Sequence, residues 1–193
     1  HLDDGRLCCA LRTGSAHSAD ASSEISLTFS SDRGRTWSDY SVVVKGRPQD
    51  GLDYRNQSLG QAIDGQLVLA YGTIGGSSDV DSGGDNRRME AIRSQDDGRT
   101  WSDPVPIELP PRTWLNPHGQ MRRLSNGTLV FNARGGYLPD VLRENPGLPD
   151  RLSFMFRSSD KGLTWTTGKG IADDASETGF DCHDDAHWVG YVR

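Results

Sequence analysis

The sequence lacks the long apolar runs and the basic clusters that mark membrane proteins and nucleic-acid-binding proteins. Its longest uncharged apolar runs, such as Leu67–Tyr71, are far shorter than the roughly 20 residues that cross a bilayer. Basic residues occur at most in pairs, and 21 Lys and Arg against 27 Asp and Glu give a formal net charge of −6. We therefore expect no membrane segment in this chain and no nucleic acid as its partner.

Cysteine is scarce as well, with three residues, of which Cys8 and Cys9 are adjacent. Three cysteines in this arrangement do not form a disulfide framework, so we expect small apolar residues buried on a strand. A pairing of Cys182 with Cys8 or Cys9 stays open. The chain starts at His1, in mid-pattern and without Met or a signal peptide, and we interpret it as part of a longer protein. The missing targeting segment then says nothing about the compartment.

Glycine and proline, in contrast, are frequent, with 23 and 9 residues among 193. So many chain-bending residues argue against a bundle of long helices and favour short strands joined by turns. The length fits one large domain or two small ones. Five residues each of Trp, Tyr and Phe can still build a core, although only 34% of the residues are hydrophobic.

One eight-residue pattern, Ser-x-Asp-x-Gly-x-Thr-Trp, occurs three times, at Ser30–Trp37, Ser94–Trp101 and Ser158–Trp165. Both steps between copies are 64 residues long, as read from Asp32, Asp96 and Asp160. The Asp can accept hydrogen bonds from a tight turn, the Gly supplies a positive φ, and the Trp is expected to pack, largely buried, between strands. We therefore interpret the three Asp residues as structural and assign them no chemistry.

A second signal alternates with these boxes. Asp-Gly or Asn-Gly pairs, which favour type I′ hairpin turns, precede the apolar runs Leu7–Arg12, Leu67–Gly72 and Leu129–Arg134. A similar run, Trp188–Arg193, lacks the Gly turn. Further strand-like stretches flank the boxes: Glu24–Phe29, Arg88–Arg93, Leu152–Arg157, Tyr40–Lys45 and Val105–Leu109. About four short strands per unit are typical of β-propeller blades, and we place the units at about 1–60, 61–122 and 123–176, with the next beginning at 177–193.

On these residues the chain resembles the sialidases (neuraminidases) of the exo-sialidase type, whose repeated box is the Asp-box. The resemblance covers nearly the whole chain and implies an all-β fold, a six-bladed propeller of which about three blades and the start of a fourth are present. Family enzymes carry their chemistry at the blade ends opposite the boxes. Three Arg hold the substrate carboxylate, a Tyr activated by a Glu is the nucleophile, and an Asp is the acid/base. A neutral Tyr suits an anionic sugar that would repel a carboxylate nucleophile.

The resemblance carries over to a few positions of this sequence. Asp20, in a Ser- and Ala-rich loop, matches the acid/base Asp, with a solvated loop residue as the alternative. Glu177, 16 residues before Arg193, matches the Glu that polarises the Tyr, and Arg193 matches a carboxylate-binding Arg. Arg12 and Arg134 end the corresponding apolar strands and are further candidates for substrate binding. An exposed strand-edge carboxylate is the alternative for Glu177, and a frayed chain end for Arg193.

This sequence also departs from the family pattern. The family's first carboxylate-binding Arg precedes His1, and its third Arg and its Tyr lie beyond Arg193, so this chain by itself does not hold a complete active site. The segment Asp181–His187 is more acidic than the family pattern, which puts the match of Glu177 in doubt. We expect no cofactor and no metal ion at the site.

Three further segments have less specific patterns, which give weaker predictions. His183 and His187 are expected in a polar turn rather than in a metal site. Asp79–Asp85 has the alternating oxygens of a calcium loop but lacks the downstream Glu of an EF-hand, so a loop without metal is favoured and Ca²⁺ stays open. The insertion at 139–150 is expected as a surface loop, with a position on the rim of the active site as the alternative.

Three functions follow as hypotheses. The first is an exo-α-sialidase that releases terminal sialic acid from sialylated glycoconjugates. The second is a non-catalytic Asp-box propeller that binds glycans or proteins, and the third is a glycosidase of other sugar specificity on the same scaffold. The residues leave open the linkage preference, the oligomeric state and the compartment, for which the resemblance fits a secreted or lysosomal-type location.

Overall fold

The computed structural model of the protein describes residues 1–16, 22–46, 51–75, 87–175, 177–182 and 184–192. Within these residues the chain forms thirteen β-strands and one short α-helix. In chain order the elements are β1 (Leu7–Thr13), β2 (Glu24–Ser30), β3 (Ser41–Lys45), β4 (Leu52–Gln61), β5 (Leu67–Gly75), β6 (Arg88–Ser94), β7 (Val105–Ile107), β8 (Thr113–Arg123), β9 (Leu129–Tyr137), α1 (Pro139–Glu144), β10 (Leu152–Ser158), β11 (Thr166–Asp173), β12 (Thr178–Cys182) and β13 (Trp188–Val192). The architecture is therefore nearly all-β, as the turn residues and the short apolar runs predicted.

The strands form four antiparallel sheets in which each strand pairs with its neighbours in the sequence. The first sheet has the order β1-β2-β3, the second β4-β5-β6-β7, the third β8-β9-β10-β11 and the fourth β12-β13. The predicted apolar runs are β1, β5, β9 and β13, and the predicted strands before the boxes are β2, β6 and β10. The second and third sheets each begin one strand earlier than their apolar run, with β4 and β8.

The hairpin turns differ in type from the prediction. The Gly5 N–H donates to the Leu2 carbonyl at 3.0 Å, and the Leu2 N–H donates to the Arg6 carbonyl at 2.9 Å. Gly5 has a φ of 86°, whereas Asp4 before it does not have a positive φ. A type I′ turn needs positive φ at both residues, so that prediction is wrong. The geometry is that of a type I turn followed by a left-handed Gly with a bulge, and the other two hairpins repeat it.

The boxes form the turns that their sequence predicted. In the second box, Thr100 donates its N–H to Asp96 Oδ1 at 2.8 Å and its hydroxyl to Asp96 Oδ2 at 2.6 Å. The Ser94 hydroxyl accepts the N–H of Gly98 at 2.8 Å, and Trp101 donates to the Gly98 carbonyl at 3.0 Å. The hydrogen bonds from Thr100 and Ser94 hold the pKa of Asp96 down to about 2. The first and third boxes make the same Thr–Asp contacts, which confirms the structural role predicted for the three box Asp residues.

The three box tryptophans are not equally buried, which corrects one prediction. Trp165 is 8% exposed, Trp101 is half-buried and Trp37 is 45% exposed. The second and third boxes pack against the preceding sheet: Gly98 of the second box lies against Leu27, and Gly162 of the third lies against Val68. Among the described residues no sheet precedes the first one, so Trp37 has no such surface to cover it.

The main core lies between the second and third sheets. Phe131 stacks on Phe156 with ring centroids 5.4 Å apart, and it meets Trp165 edge-on at 5.0 Å. A smaller cluster that includes Ile25, Tyr54 and Tyr71 joins the first and second sheets. Each of the two clusters contains side chains from two sheets, so their burial holds neighbouring sheets against each other.

The cysteines of β1 behave differently from each other. Both Cys8 and Cys9 are free thiols, so neither is disulfide-bonded to Cys182. Cys8 is half-buried, and burial raises the pKa of its thiol to about 12. Cys9 is exposed, against the prediction of a buried residue, because β1 is the edge strand of its sheet. No helix in the part of the chain that the structure describes is long and apolar enough to span a membrane.

Candidate functional site

Because neighbouring strands are antiparallel, the connections between them lie alternately at the two ends of the strands. The boxes connect β2 to β3, β6 to β7 and β10 to β11, and they lie at one of these ends, which we call the box edge. The connections that follow β1, β7, β9 and β11 reach the other edge, which we call the loop edge. The family resemblance implies chemistry on the loop edge.

Two of the predicted catalytic or binding residues lie outside the described residues, namely Asp20 and Arg193. Glu177 lies on the loop edge directly before β12 and is half-buried. The next residue, Thr178, is held against the third sheet because its carbonyl accepts hydrogen bonds from Asn132 Nδ2 and from the ring of His118, the latter at 3.1 Å. The structure thus fixes the backbone at Glu177, and the role of that carboxylate stays a prediction.

Arg12 links the first sheet to the second through a buried ion pair. Its guanidinium lies 2.8 Å from Asp53 Oδ1 and also donates to the Tyr54 carbonyl at 3.0 Å and to the Ala16 carbonyl at 3.1 Å. The Arg12 side chain is 17% exposed and that of Asp53 only 1%. A carboxylate this deeply buried is tolerated because it is paired, so Arg12 is held in place on the loop edge.

Arg55 lies near both this ion pair and Arg134. A guanidinium nitrogen of Arg55 lies 3.9 Å from Asp53 Oδ2. Burial lowers the pKa of Arg55, the Asp53 carboxylate opposes this, and the positive charges of Arg12 and Arg134 lower the pKa further. The positive charges of the predicted residues Arg12 and Arg134 thus both act on Arg55, and Arg134 and Arg55 line the same cavity. Asp53 and Arg55 were not among the predicted site residues, although two charges alternating with Tyr54 in β4 are the signal that could have found them.

A cavity of about 610 Å³ lies between the second and third sheets on the loop edge. Arg55 and Ile74 line it from the second sheet, and Trp114, Asn116 and Arg134 line it from the third. The insertion after β9 contributes one wall through α1 and the residues up to Arg151. The insertion therefore lies on the rim of this cavity and includes a short helix rather than a loop throughout.

The cavity wall depends on a close approach between the two sheets. Gly72, opposite Arg55 in the β4–β5 register, has no side chain, and the amide of Asn116 occupies the space where one would project. Asn116 is itself opposite Arg134 in the β8–β9 register. Asn116 is 6% exposed, and its buried Oδ1 has no hydrogen-bond partner among the described residues. A larger residue at position 72 would displace this amide.

Two contacts shape the mouth of the cavity. The Arg87 guanidinium lies over the ring of Trp114, 4.4 Å from its centroid, at a distance typical of a cation–π contact. Arg112 holds α1 through ion pairs to Asp140 at 2.8 Å and Glu144 at 3.1 Å. The second contact connects α1 to the segment directly before β8.

The structure describes only part of the segments for which a metal site was considered. Residues 79–85 and His183 lie outside the described residues. The His187 ring contacts the Asp184 carboxylate at 2.8 Å in the turn before β13. No group of three or more His, Cys, Asp or Glu side chains that could hold a metal ion occurs in the described ranges.

Comparisons with known proteins agree with this architecture. A family model described as a BNR repeat-like domain matches residues 3–185. The chain is 28% identical over 166 residues to a sialidase of Paraclostridium sordellii, with 78% of this chain and 39% of that protein aligned. It is 27% identical over 164 residues to a sialidase of Clostridium perfringens, with 77% and 41% aligned. The chain thus spans about two fifths of the length of these curated relatives.

Similarity to solved structures concerns the fold. The NanB sialidase from Streptococcus pneumoniae superposes with a TM-score of 0.72 at 15% sequence identity, covering 100% of this chain and 46% of that one. The fold is therefore of the β-propeller type seen in that sialidase.

Proposed function

The chain belongs to the BNR repeat-like family, and from this premise we propose that the complete protein is an exo-α-sialidase that releases terminal sialic acid from glycoconjugates. The observation that carries the proposal is the group of arginines on the loop edge, where Arg12 and Arg55 lie beside the buried Asp53 and Arg134 lines the same cavity as Arg55. A cationic site opposite the boxes suits a sugar that carries a carboxylate. The sialidase relatives support the same reading at 27–28% identity.

In this proposal the complete protein closes a six-bladed propeller, and residues of this chain form part of its active site. Asp20 protonates the leaving oxygen, and Glu177 accepts the proton of a nucleophilic Tyr supplied by the remainder of the protein. The Tyr oxygen attacks the anomeric carbon, and water then hydrolyses the glycosyl-enzyme. Arg193 binds the substrate carboxylate as a planar fork, and Arg12 and Arg134 bind the same sugar.

The test is the release of sialic acid by the complete protein. We expect it to liberate free sialic acid from sialyllactose and from a sialylated glycoprotein, as measured by chromatography. Glu177→Gln should lower kcat by about 10²–10⁴-fold, the usual range for the loss of a proton-transfer group. Asp103→Ala, an exposed carboxylate on the box edge, is the matched control and should leave kcat unchanged.

Two results would contradict the proposal. If the protein releases no sialic acid but binds sialylated glycans, the non-catalytic propeller is correct. If it cleaves other glycosides in a panel of aryl substrates and no sialoside, the scaffold serves another sugar.

A further inference from the structure

The second and third boxes are each joined to the preceding sheet by an ion pair at the same box position. In the second box, the carboxylate of Asp97 lies 2.8 Å from a guanidinium nitrogen of Arg6, which belongs to the hairpin turn before β1. In the third box, Lys161 Nζ lies 2.8 Å from the carboxylate of Asp64, in the hairpin turn before β5. The charges at the fourth box position thus differ in sign, and each meets the opposite charge in a turn.

Arg33 has the same position in the first box but lacks such a partner. Its φ of 63° matches the 60° of Asp97 and the 63° of Lys161, so its side chain leaves the box turn in the same direction. Arg33 is exposed, and it forms no ion pair within the described ranges. Because the cation Lys161 meets an aspartate of a hairpin turn, we expect the partner of Arg33 to be an acid in such a turn.

The packing of the first box leaves open the place that a preceding sheet fills at the other two. The glycines of the second and third boxes contact side chains of the preceding sheet. A side chain at Gly34 would meet Leu7 and Trp37, both of the first sheet, and no other described residue within 4 Å. Trp101 packs on clusters that it shares with the first sheet, whereas Trp37 is 45% exposed.

The same side of the first sheet carries further exposed apolar residues. Ile25 packs in the cluster between the first and second sheets, and neighbouring strand residues point to opposite faces, so Ser26 lies on the face turned away from the second sheet. Val42 is paired with Ser26 and is 50% exposed, and Tyr40 is 65% exposed. An exposed apolar patch of this kind is typical of an interaction surface. We call this surface the docking face, and its residues are Arg33, Trp37, Tyr40 and Val42.

We propose that the docking face binds another sheet of the same complete protein, which presents an Asp or Glu of its hairpin turn to Arg33 and an apolar side chain to Gly34. The choice of occupant follows from the second and third boxes, because sheets of one chain fill the equivalent places there. The inference rests on the ring closure in the proposed function and not on its chemistry. A second copy of the protein offers a similar surface, and the test distinguishes the two.

The experiment measures thiol accessibility on the docking face of the complete protein. Val42→Cys and the control Leu163→Cys replace side chains that are 50% and 47% exposed here. Leu163 has the sixth box position, at which Arg99 is exposed although its sheet has neighbours on both sides. Iodoacetamide labelling is read by peptide mass spectrometry, and each rate is divided by the rate in urea, which removes differences in intrinsic reactivity. We expect Val42→Cys to react about tenfold more slowly than Leu163→Cys, because a docked sheet must open before the reagent enters.

A charge reversal tests the ion pair expected at Arg33. In the Val42→Cys protein, Arg33→Glu places a carboxylate against the acid of the docked turn and should speed labelling about threefold. Arg35→Glu is the matched control, since it makes the same charge change at another exposed residue of the same box. It should leave the labelling rate within about 1.5-fold.

Equal labelling rates of Val42→Cys and Leu163→Cys would overturn the proposal, as would an equal acceleration by Arg33→Glu and Arg35→Glu. Protection that disappears on dilution, together with a mass above that of one chain in light scattering, would overturn it in favour of a second copy. Release of sialic acid by the same samples separates the two claims. Release without protection leaves the sialidase assignment standing and rejects the docking proposal, and protection without release does the reverse.

Discussion

Removing Arg12 isolates the buried carboxylate of Asp53, and this gives a quantitative prediction. Asp53 is 1% exposed and has its closest cation in Arg12, at 2.8 Å. Loss of one partner of a buried ion pair costs about 3–5 kcal/mol because the other charge is left uncompensated. Arg55, 3.9 Å from the second carboxylate oxygen, compensates in part. We therefore expect Arg12→Met to lower the free energy of unfolding by about 3 kcal/mol, at the lower end of that range.

The assay is urea denaturation of the complete protein, followed by tryptophan fluorescence. The double variant Arg12→Met/Asp53→Leu removes both charges and should recover most of the loss, since apolar replacements of a buried pair are often neutral. Arg99→Met, an exposed residue on the box edge, should change the free energy of unfolding by less than about 0.5 kcal/mol. A loss of under about 1 kcal/mol in the single variant would contradict this prediction. A loss in the double variant that equals the sum of the losses in the two single variants would contradict it as well.

Two further predictions concern the boxes. Trp165→Ala should lower the free energy of unfolding by about 3–5 kcal/mol because the side chain is 8% exposed in the main core. Trp37→Ala should lower it far less in this chain, since Trp37 is 45% exposed. Equal losses of the two variants in urea denaturation would contradict the packing described. The pKa of Asp96 is about 2 in the folded protein, below the ordinary value of about 3.9. The ionised carboxylate therefore stabilises the folded protein at pH values above that ordinary pKa, and this contribution is lost as the pH falls towards 2. Thr100→Val removes the hydroxyl that is the main cause and should raise the Asp96 pKa in a carbon-detected NMR titration; an unchanged value would mean that the hydroxyl does not hold it.

The strands that the sequence revealed are those whose residues repeat a simple pattern. β1, β5 and β9 follow a turn glycine and are apolar, and β2, β6 and β10 end in a box. β4 and β8 carried no such signal, because they contain buried polar residues such as Asp53 and Asn116. β8 also includes Pro117 and Gly119, and both strands have an irregular register. Their stability comes from packing between sheets, which a local pattern does not report.

The candidate site, like the strands, could be predicted only where its residues belong to a repeated pattern. Arg12 and Arg134 were predicted because they end repeated apolar runs, whereas Arg55, on which both charges act, lies on a strand without an apolar pattern. The cavity requires Gly72 and Asn116, 44 positions apart, to meet across two sheets. Such contacts follow from how neighbouring sheets pack against each other, which no single segment of the sequence determines.

The measurement that tests the central claim most directly is the effect of Asp20→Ala on two substrates of the complete protein. Sialyllactose has a poor leaving group that needs protonation, whereas an activated aryl sialoside needs little. If Asp20 is the general acid, the variant should lose about 10²–10⁴-fold on sialyllactose and much less on the aryl sialoside. Equal losses on both substrates, or full activity on both, would contradict the assignment of sialidase chemistry to the loop edge of this chain.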